Sequence, residues 1–191
     1  MDIKAKLPLS VGAPSNRNNW QALDDHALTR IPPSVRPWLR LTSSMTNRIA
    51  TVTGFPVVVT VCSDTDGHPD RSEQAFLGVR CTRGRVREVV LSAGGVAVLV
   101  ARTVFISRHL LSNQALRKLG QRSLGELLFS QGDARWLRRE FAPLNPQLSV
   151  WPRLKANMPC LPNGAWARRT IYLLDAAPIC VTEVILPSLF K

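Results

Sequence analysis

The chain has 191 residues, 45% of them apolar and 20% charged, which suits one soluble domain with a sizeable core. No apolar run reaches the roughly 18–20 residues of a membrane-spanning helix, and the first twenty residues lack the apolar centre of a secretory signal, so a cytosolic protein is expected. Lysine and arginine number 25 against 13 acidic residues, a net charge of +12 that attracts anions: small carboxylates, acidic lipid or nucleic acid. No basic block and no aromatic-interleaved motif marks a nucleic-acid surface, and four scattered cysteines with three histidines make a zinc site or a disulfide framework a poor fit.

Residues 1–19 are polar and contain proline and glycine, which predicts a loose arm before a single domain over 20–191. The segment WQALDDHALTRIPPSVRPWLRLTSSMTNRI reads as short helices broken by Pro32, Pro33 and Pro37. FPVVVTVCS is a β-branched run and predicts a strand, and DTDGHPD carries turn chemistry. The stretch from Gly78 to Ser107 reads as strands, with a hairpin turn at Ser92-Ala93-Gly94-Gly95.

Helical spacing follows. SNQALRKLG places Ala115, Leu116 and Leu119 on one stripe, stopped at Gly120. SLGELLFS opens with Ser123 and has Glu126 three residues on, a capping-box pattern. DARWLRREFAPL predicts a third helix capped by Asp133. A proline-rich connector spans Pro143 to Pro162, and WARRTIYLLDAAPICVTEVILP predicts two strands around a turn at Asp175–Pro178. The expected fold is α+β, a single antiparallel sheet of about six strands with covering helices.

Three charged residues break the strand patterns. Side chains alternate between faces of a strand, so Arg87 shares its face with Val89 and Leu91. Arg102 stands in VLVARTVFI, which is apolar on both faces. Glu183 shares its face with Ile179, Val181 and Ile185 in PICVTEVILP. Each alone reads as a buried structural pair or as edge-strand charge. Together they suggest a positive pocket with one carboxylate. Two guanidinium forks suit a dicarboxylate, and a lone glutamate in apolar surroundings has a raised pKa that suits acid–base work. The segment Ser123-Leu124-Gly125 adds a helix start, where amides lack partners and anions are favoured, although taken alone it reads first as an ordinary capped helix.

The stretches WLRLTSSMTNRI, VREVVL, ARTVFIS, LRKLGQRSLGELLF and WARRTIYLLDAAPICVTEVILP, in this order, resemble the chorismate lyase family over most of residues 38–191. The resemblance implies conversion of chorismate to 4-hydroxybenzoate and pyruvate for ubiquinone synthesis, without metal or organic cofactor. It implies a closed internal site under covering helices. Position by position, it sets Arg87 and the Leu124 amide on the ring carboxylate, and Met45 in the lining. It sets Glu183 at the 4-hydroxyl end and Arg102 on the enolpyruvyl carboxylate, so that Glu183 and Arg102 carry the catalysis. Whether Glu183 is the base or an anchor stays open. Ala101 departs from the family's glycine at that position, and its methyl is expected to narrow the pocket or shift Arg102.

Partners are expected to be substrate and product, with no nucleic acid, a monomeric state and at most loose contact with an anionic membrane surface. Two rival readings stand beside this one. The effector domains of one class of bacterial repressors share this fold and bind small anions without catalysis. They follow a DNA-binding domain, for which the roughly 40 residues before the fold are too few. A basic nucleic-acid binder rests on the net charge alone.

Overall fold

The computed structural model describes residues 19–22, 24–80, 83–106, 113–129, 134–158, 161–174 and 177–190. Among the described residues, seven strands form one antiparallel sheet: β1 (Gln21–Ala22), β2 (Val57–Gly67), β3 (Gly84–Ala93), β4 (Val96–Ile106), β5 (Trp136–Pro143), β6 (Trp166–Leu174) and β7 (Ala177–Ile185), in the order β1-β5-β6-β7-β4-β3-β2. The β3–β4 hairpin turns at Gly94 and Gly95, whose φ values of 57° and 80° need residues without a Cβ. Short helices connect the strands: α1 (Asp25–Leu28), α2 (Arg36–Arg40), α3 (Met45–Thr53), α4 (Arg71–Leu77), α5 (Gln114–Arg117), α6 (Leu124–Leu128) and α7 (Trp151–Asn157). Among the described residues, no helix is long and apolar enough to cross a membrane.

The segment expected to be a third helix is a strand, β5; its proposed cap Asp133 lies outside the described residues. Leu137 and Phe141, four apart, imitate a helical stripe. The strand period is hidden because charged side chains occupy both covered faces, Arg139 and Phe141 on one and Glu140 and Ala142 on the other. The sequence reading also misses α4. Its signal is Asp70 followed by Glu73: the Asp70 carboxylate accepts from the Glu73 amide at 2.8 Å and Glu73 accepts from the Asp70 amide at 2.8 Å. Likewise the proline-rich connector contains α7, with Pro152 tolerated in its first turn.

The register sorts the side chains into two faces. The front face is covered by α1–α3 over Val89, Leu91, Leu99 and Ala101, and by α5 and α6 over Phe105, Tyr172, Ile179 and Val181. On the back, α7 and its flanks cover Val100, Ala167 and Val184, while α4 covers Val86, Val104 and Ile171. Between those two back clusters runs a charged band, Glu140–Arg169–Thr182–Arg102–Glu88, one residue from each of five adjacent strands.

Arg102 belongs to that band, which corrects the expectation that it joins Arg87 in one pocket. It pairs with Thr182 and Glu88 across the sheet, whereas Arg87 pairs with Thr103. One residue of offset puts the two guanidiniums on opposite faces. Arg102 Nε donates to Glu73 Oε1 at 2.7 Å and its Nη1 to Glu88 Oε1 at 2.6 Å, and Asn157 of α7 donates to the other Glu88 oxygen. Burial pulls the Arg102 guanidinium down, but these two carboxylates outweigh it and hold it above its ordinary value. Arg102→Ala leaves Glu73 and Glu88 buried without their cation. It is expected to cost about 3–5 kcal/mol in urea unfolding; a loss under about 1 kcal/mol would show that the band contributes little.

Candidate active site

A cavity of about 50 Å³ lies on the front face. Its floor is the sheet: Val89 and Leu91 of β3, Leu99, Ala101 and Thr103 of β4, and Val181 of β7, with Val59 of β2 and Arg87 at one side. Its cover is two helix starts, Thr46 at the head of α3 and Arg122 to Gly125 at the head of α6. Serines cap both helices: Ser44 accepts from the Asn47 amide at 3.3 Å and Ser123 from the Glu126 amide at 3.2 Å. The two starts meet at Gly125, where an added Cβ would stand 3.3 Å from Ser44 Oγ and 3.7 Å from Thr46 Oγ1.

Arg87 is buried at the cavity wall. Its Nη1 donates to Asp64 Oδ2 at 2.8 Å, and its Nη2 to the carbonyls of Gly120 and Arg122 at 2.7 and 3.2 Å. Asp64 also receives Arg85 bidentately at 2.5 and 2.7 Å. Burial alone would raise the Asp64 carboxyl, but the hydrogen bonds from Arg85 and Arg87 outweigh it and hold the group below the ordinary carboxylate range. Arg87 therefore has its orientation set from β2 and ties the head of α6 to the sheet. Leu124 lines the cavity as the first residue of α6, where an amide has no intrahelical acceptor.

Glu183 pairs with Ala101 across β4 and β7 and shares its face with Val181, so it borders the floor without lining it. It is not the lone carboxylate that the sequence suggested. Its Oε2 accepts from Arg168 Nε at 2.5 Å, and Arg168 Nη1 also donates to the carbonyls of Trp38 and Leu41, both at 2.9 Å. Burial pulls the wholly enclosed Arg168 down, and Glu183 raises it above its ordinary value. Met45 is buried in the apolar cluster under α3, and its neighbour Thr46 is the residue that lines the cavity.

Arg87, Leu124 and Glu183 thus share one face and one cavity region, Met45 is buried in the apolar cluster that includes the floor residues Val89, Leu91, Leu99 and Ala101, and Arg102 faces away. Sequence reasoning passed over Asp64, which looked like turn chemistry, and Arg168. The second had a signal: two adjacent arginines in a predicted strand must point to opposite faces, and each buried one requires an acceptor.

A family model described as chorismate lyase matches residues 14–191. A protein of Nitrosospira multiformis named probable chorismate pyruvate-lyase is 31% identical over 185 residues, covering 91% of this chain and 98% of its own. Another of the same name from Aromatoleum aromaticum is 36% identical over 172 residues, covering 85% of this chain and 89% of its own. The effector domain of PhnF from Mycobacterium smegmatis superimposes with a TM-score of 0.53 at 17% identity, over 78% of this chain and 91% of that one, a likeness of fold alone.

A carboxyl held below its ordinary value stabilises the fold at pH above that value, and loses its contribution as pH falls through the folded one. Asp64→Asn is therefore expected to lower stability at pH 7 by about 1–3 kcal/mol. The gap to the unsubstituted protein should close on acidification below the ordinary carboxylate range. Thermal unfolding across pH checks both; a gap independent of pH would remove the charge from the explanation.

Proposed function

We propose that this chain, which belongs to the chorismate lyase family, is a carbon–oxygen lyase that eliminates pyruvate from chorismate and leaves 4-hydroxybenzoate. The observation that carries this reading is the polarity of the front-face cavity. A buried guanidinium stands on one side, aliphatic side chains form the floor, and a carboxylate borders the far strand. A flat ring with an acid at one end and a hydroxyl at the other matches that order.

In the reaction, the C4–H and C3–O bonds break and the ring becomes aromatic. The proton from C4 and the electrons of the C3–O bond leave with the side chain, which becomes pyruvate once its methylene carbon is protonated. Aromatisation supplies much of the driving force, so the protein's task is to orient the diene and stabilise charge on the departing group. In this reading Arg87 and the Leu124 amide hold the ring carboxylate, and Glu183 accepts the 4-hydroxyl. Arg168 fixes the rotamer of Glu183, and Asp64 that of Arg87. The product is a precursor for ubiquinone, the route we infer for it.

The cavity of about 50 Å³ is smaller than the ~150 Å³ that accepts a benzene ring, so the heads of α3 and α6 must part for substrate to enter. The contacts of Arg87 with Gly120 and Arg122 are then the latch that has to open for both entry and release.

Formation of 4-hydroxybenzoate from chorismate, followed by absorbance, tests the activity directly; no product at micromolar enzyme would sink it. Arg87→Gln is expected to weaken 4-hydroxybenzoate binding by about 10- to 100-fold, the worth of a charge-assisted contact; unchanged affinity in a titration would remove Arg87 from the carboxylate. Glu183→Gln keeps an acceptor but removes the charge. With the fold checked by circular dichroism, kcat is expected within about tenfold of the unsubstituted enzyme, whereas a loss beyond ~100-fold would make Glu183 the base.

A further inference from the structure

With Arg102 on the back face, the second carboxylate of a dicarboxylic substrate needs another cation. The front face holds one that nothing in the foregoing uses. Arg139 of β5 is buried, 7% exposed. Its Nη1 donates to the Leu41 carbonyl at 2.8 Å, the same oxygen that receives Arg168 Nη1 at 2.9 Å. Its Nε donates to Thr170 Oγ1 at 3.0 Å and its Nη2 to the Tyr172 hydroxyl at 3.4 Å, and it stacks over Trp136 at 5.0 Å. All these partners are neutral. Among the described residues Arg139 has no carboxylate of its own, and the adjacent Glu183 is already paired with Arg168. Two buried guanidiniums therefore share one acid.

Such a cluster is costly unless an anion completes it. Burial and the charge of Arg168 both pull Arg139 below its ordinary value, and Glu183 is close enough to act in the other direction. Burial and Glu183 push the Tyr172 phenol up, so it stays neutral and keeps a proton to donate. The position also fits. Arg139, Thr170, Val181, Thr103 and Arg87 form one row across the front face, and the last three line the cavity. The enolpyruvyl group leaves the ring at C3, beside the 4-hydroxyl. If that hydroxyl meets Glu183, the side chain emerges at the β7 end of the cavity, toward β6 and β5.

We propose that Arg139, set against Arg168 and Tyr172, is the residue that binds the carboxylate of the departing side chain and selects a dicarboxylate over a monocarboxylate. It rests on the lyase reading. During the elimination Arg139 faces the carboxylate through which negative charge on the leaving enolpyruvate is spread, and the Tyr172 hydroxyl supplies a second donor.

The test compares two ligands. Arg139→Gln retains a donor for Thr170 and Leu41 but removes the charge; Arg139→Lys restores it. For Arg139→Gln, kcat/KM with chorismate is expected to fall at least about tenfold, while the Kd of 4-hydroxybenzoate, which has only the ring carboxylate, moves less than about twofold. Arg139→Lys should recover part of the loss. Equal weakening of both ligands, or unchanged kcat/KM, would overturn the proposal. If the unsubstituted protein binds chorismate without turning it over, the lyase reading fails. The proposal is then decided by whether Arg139→Gln weakens chorismate but not 4-hydroxybenzoate in fluorescence titrations of the two ligands.

Discussion

Arg168 is wholly enclosed, and its guanidinium has to be satisfied by whatever surrounds it. Glu183 on the neighbouring strand neutralises it, and the carbonyls of Trp38 and Leu41 accept from its Nη1. One side chain thereby joins β6, β7 and the turn between α2 and α3. That turn leads directly into Ser44 and the head of α3, which forms half of the cavity cover. The same contact aims Glu183 along the strand edge that borders the floor. Removing either partner would strand a buried charge, so the cover, the carboxylate and the sheet are held as one unit.

The two faces of the sheet handle charge differently. On the back, Arg102, Arg138 and Arg169 meet Glu73, Glu88 and Glu140, three cations for three acids. That band is internally balanced and ties α4 and α7 to the sheet. On the front, among the described residues, Arg85, Arg87, Arg139 and Arg168 face three acids, Asp64, Glu183 and the more exposed Asp66 opposite Arg85, and the hydrogen bonds of Arg139 go to neutral groups. The imbalance is buried in part, where it cannot be dispersed by water. A fold that keeps excess positive charge on the face with the cavity is prepared for an anion there, and the net +12 of the chain adds long-range attraction.

The cover is suited to opening at its α6 half, while its α3 half is anchored on the sheet. Its two elements are short helices capped by serines, and their starts approach closely because residue 125 has no side chain. The hold of α6 on the sheet comes largely from Arg87, through the Gly120 and Arg122 carbonyls, and from leucines of α5 and α6 packed with Tyr172 and Val181, whereas α3 is anchored by Met45 and Ile49 in the apolar cluster with Val89 and Leu91. A few polar contacts of this sort are readily exchanged for water or for a ligand carboxylate, whereas the strands beneath are locked by two covered faces.

Much of this was legible in the chain. The β3–β4 hairpin, the Ser123–Glu126 capping box and the two C-terminal strands follow from local pattern, because turn residues, caps and alternation act over a few neighbours. Alternation also told that Arg87 and Glu183 share their faces with apolar residues, and the ordered motifs carried the family. The limits are equally physical. β5 was mistaken for a helix because a strand covered on both faces by charged and aromatic residues shows no polar–apolar period. Arg102 was joined with Arg87 because sequence gives the parity of each strand but not the register between them, and a single residue of offset exchanges the faces. Asp64, Arg139 and Arg168 acquire their roles from hydrogen-bond partners between 15 and 130 residues away, and no local rule reaches that far. The chain by itself determined which residues could not be ordinary core; only the tertiary structure decided which of them share a face, since pairing across strands is settled by the packing of the whole sheet.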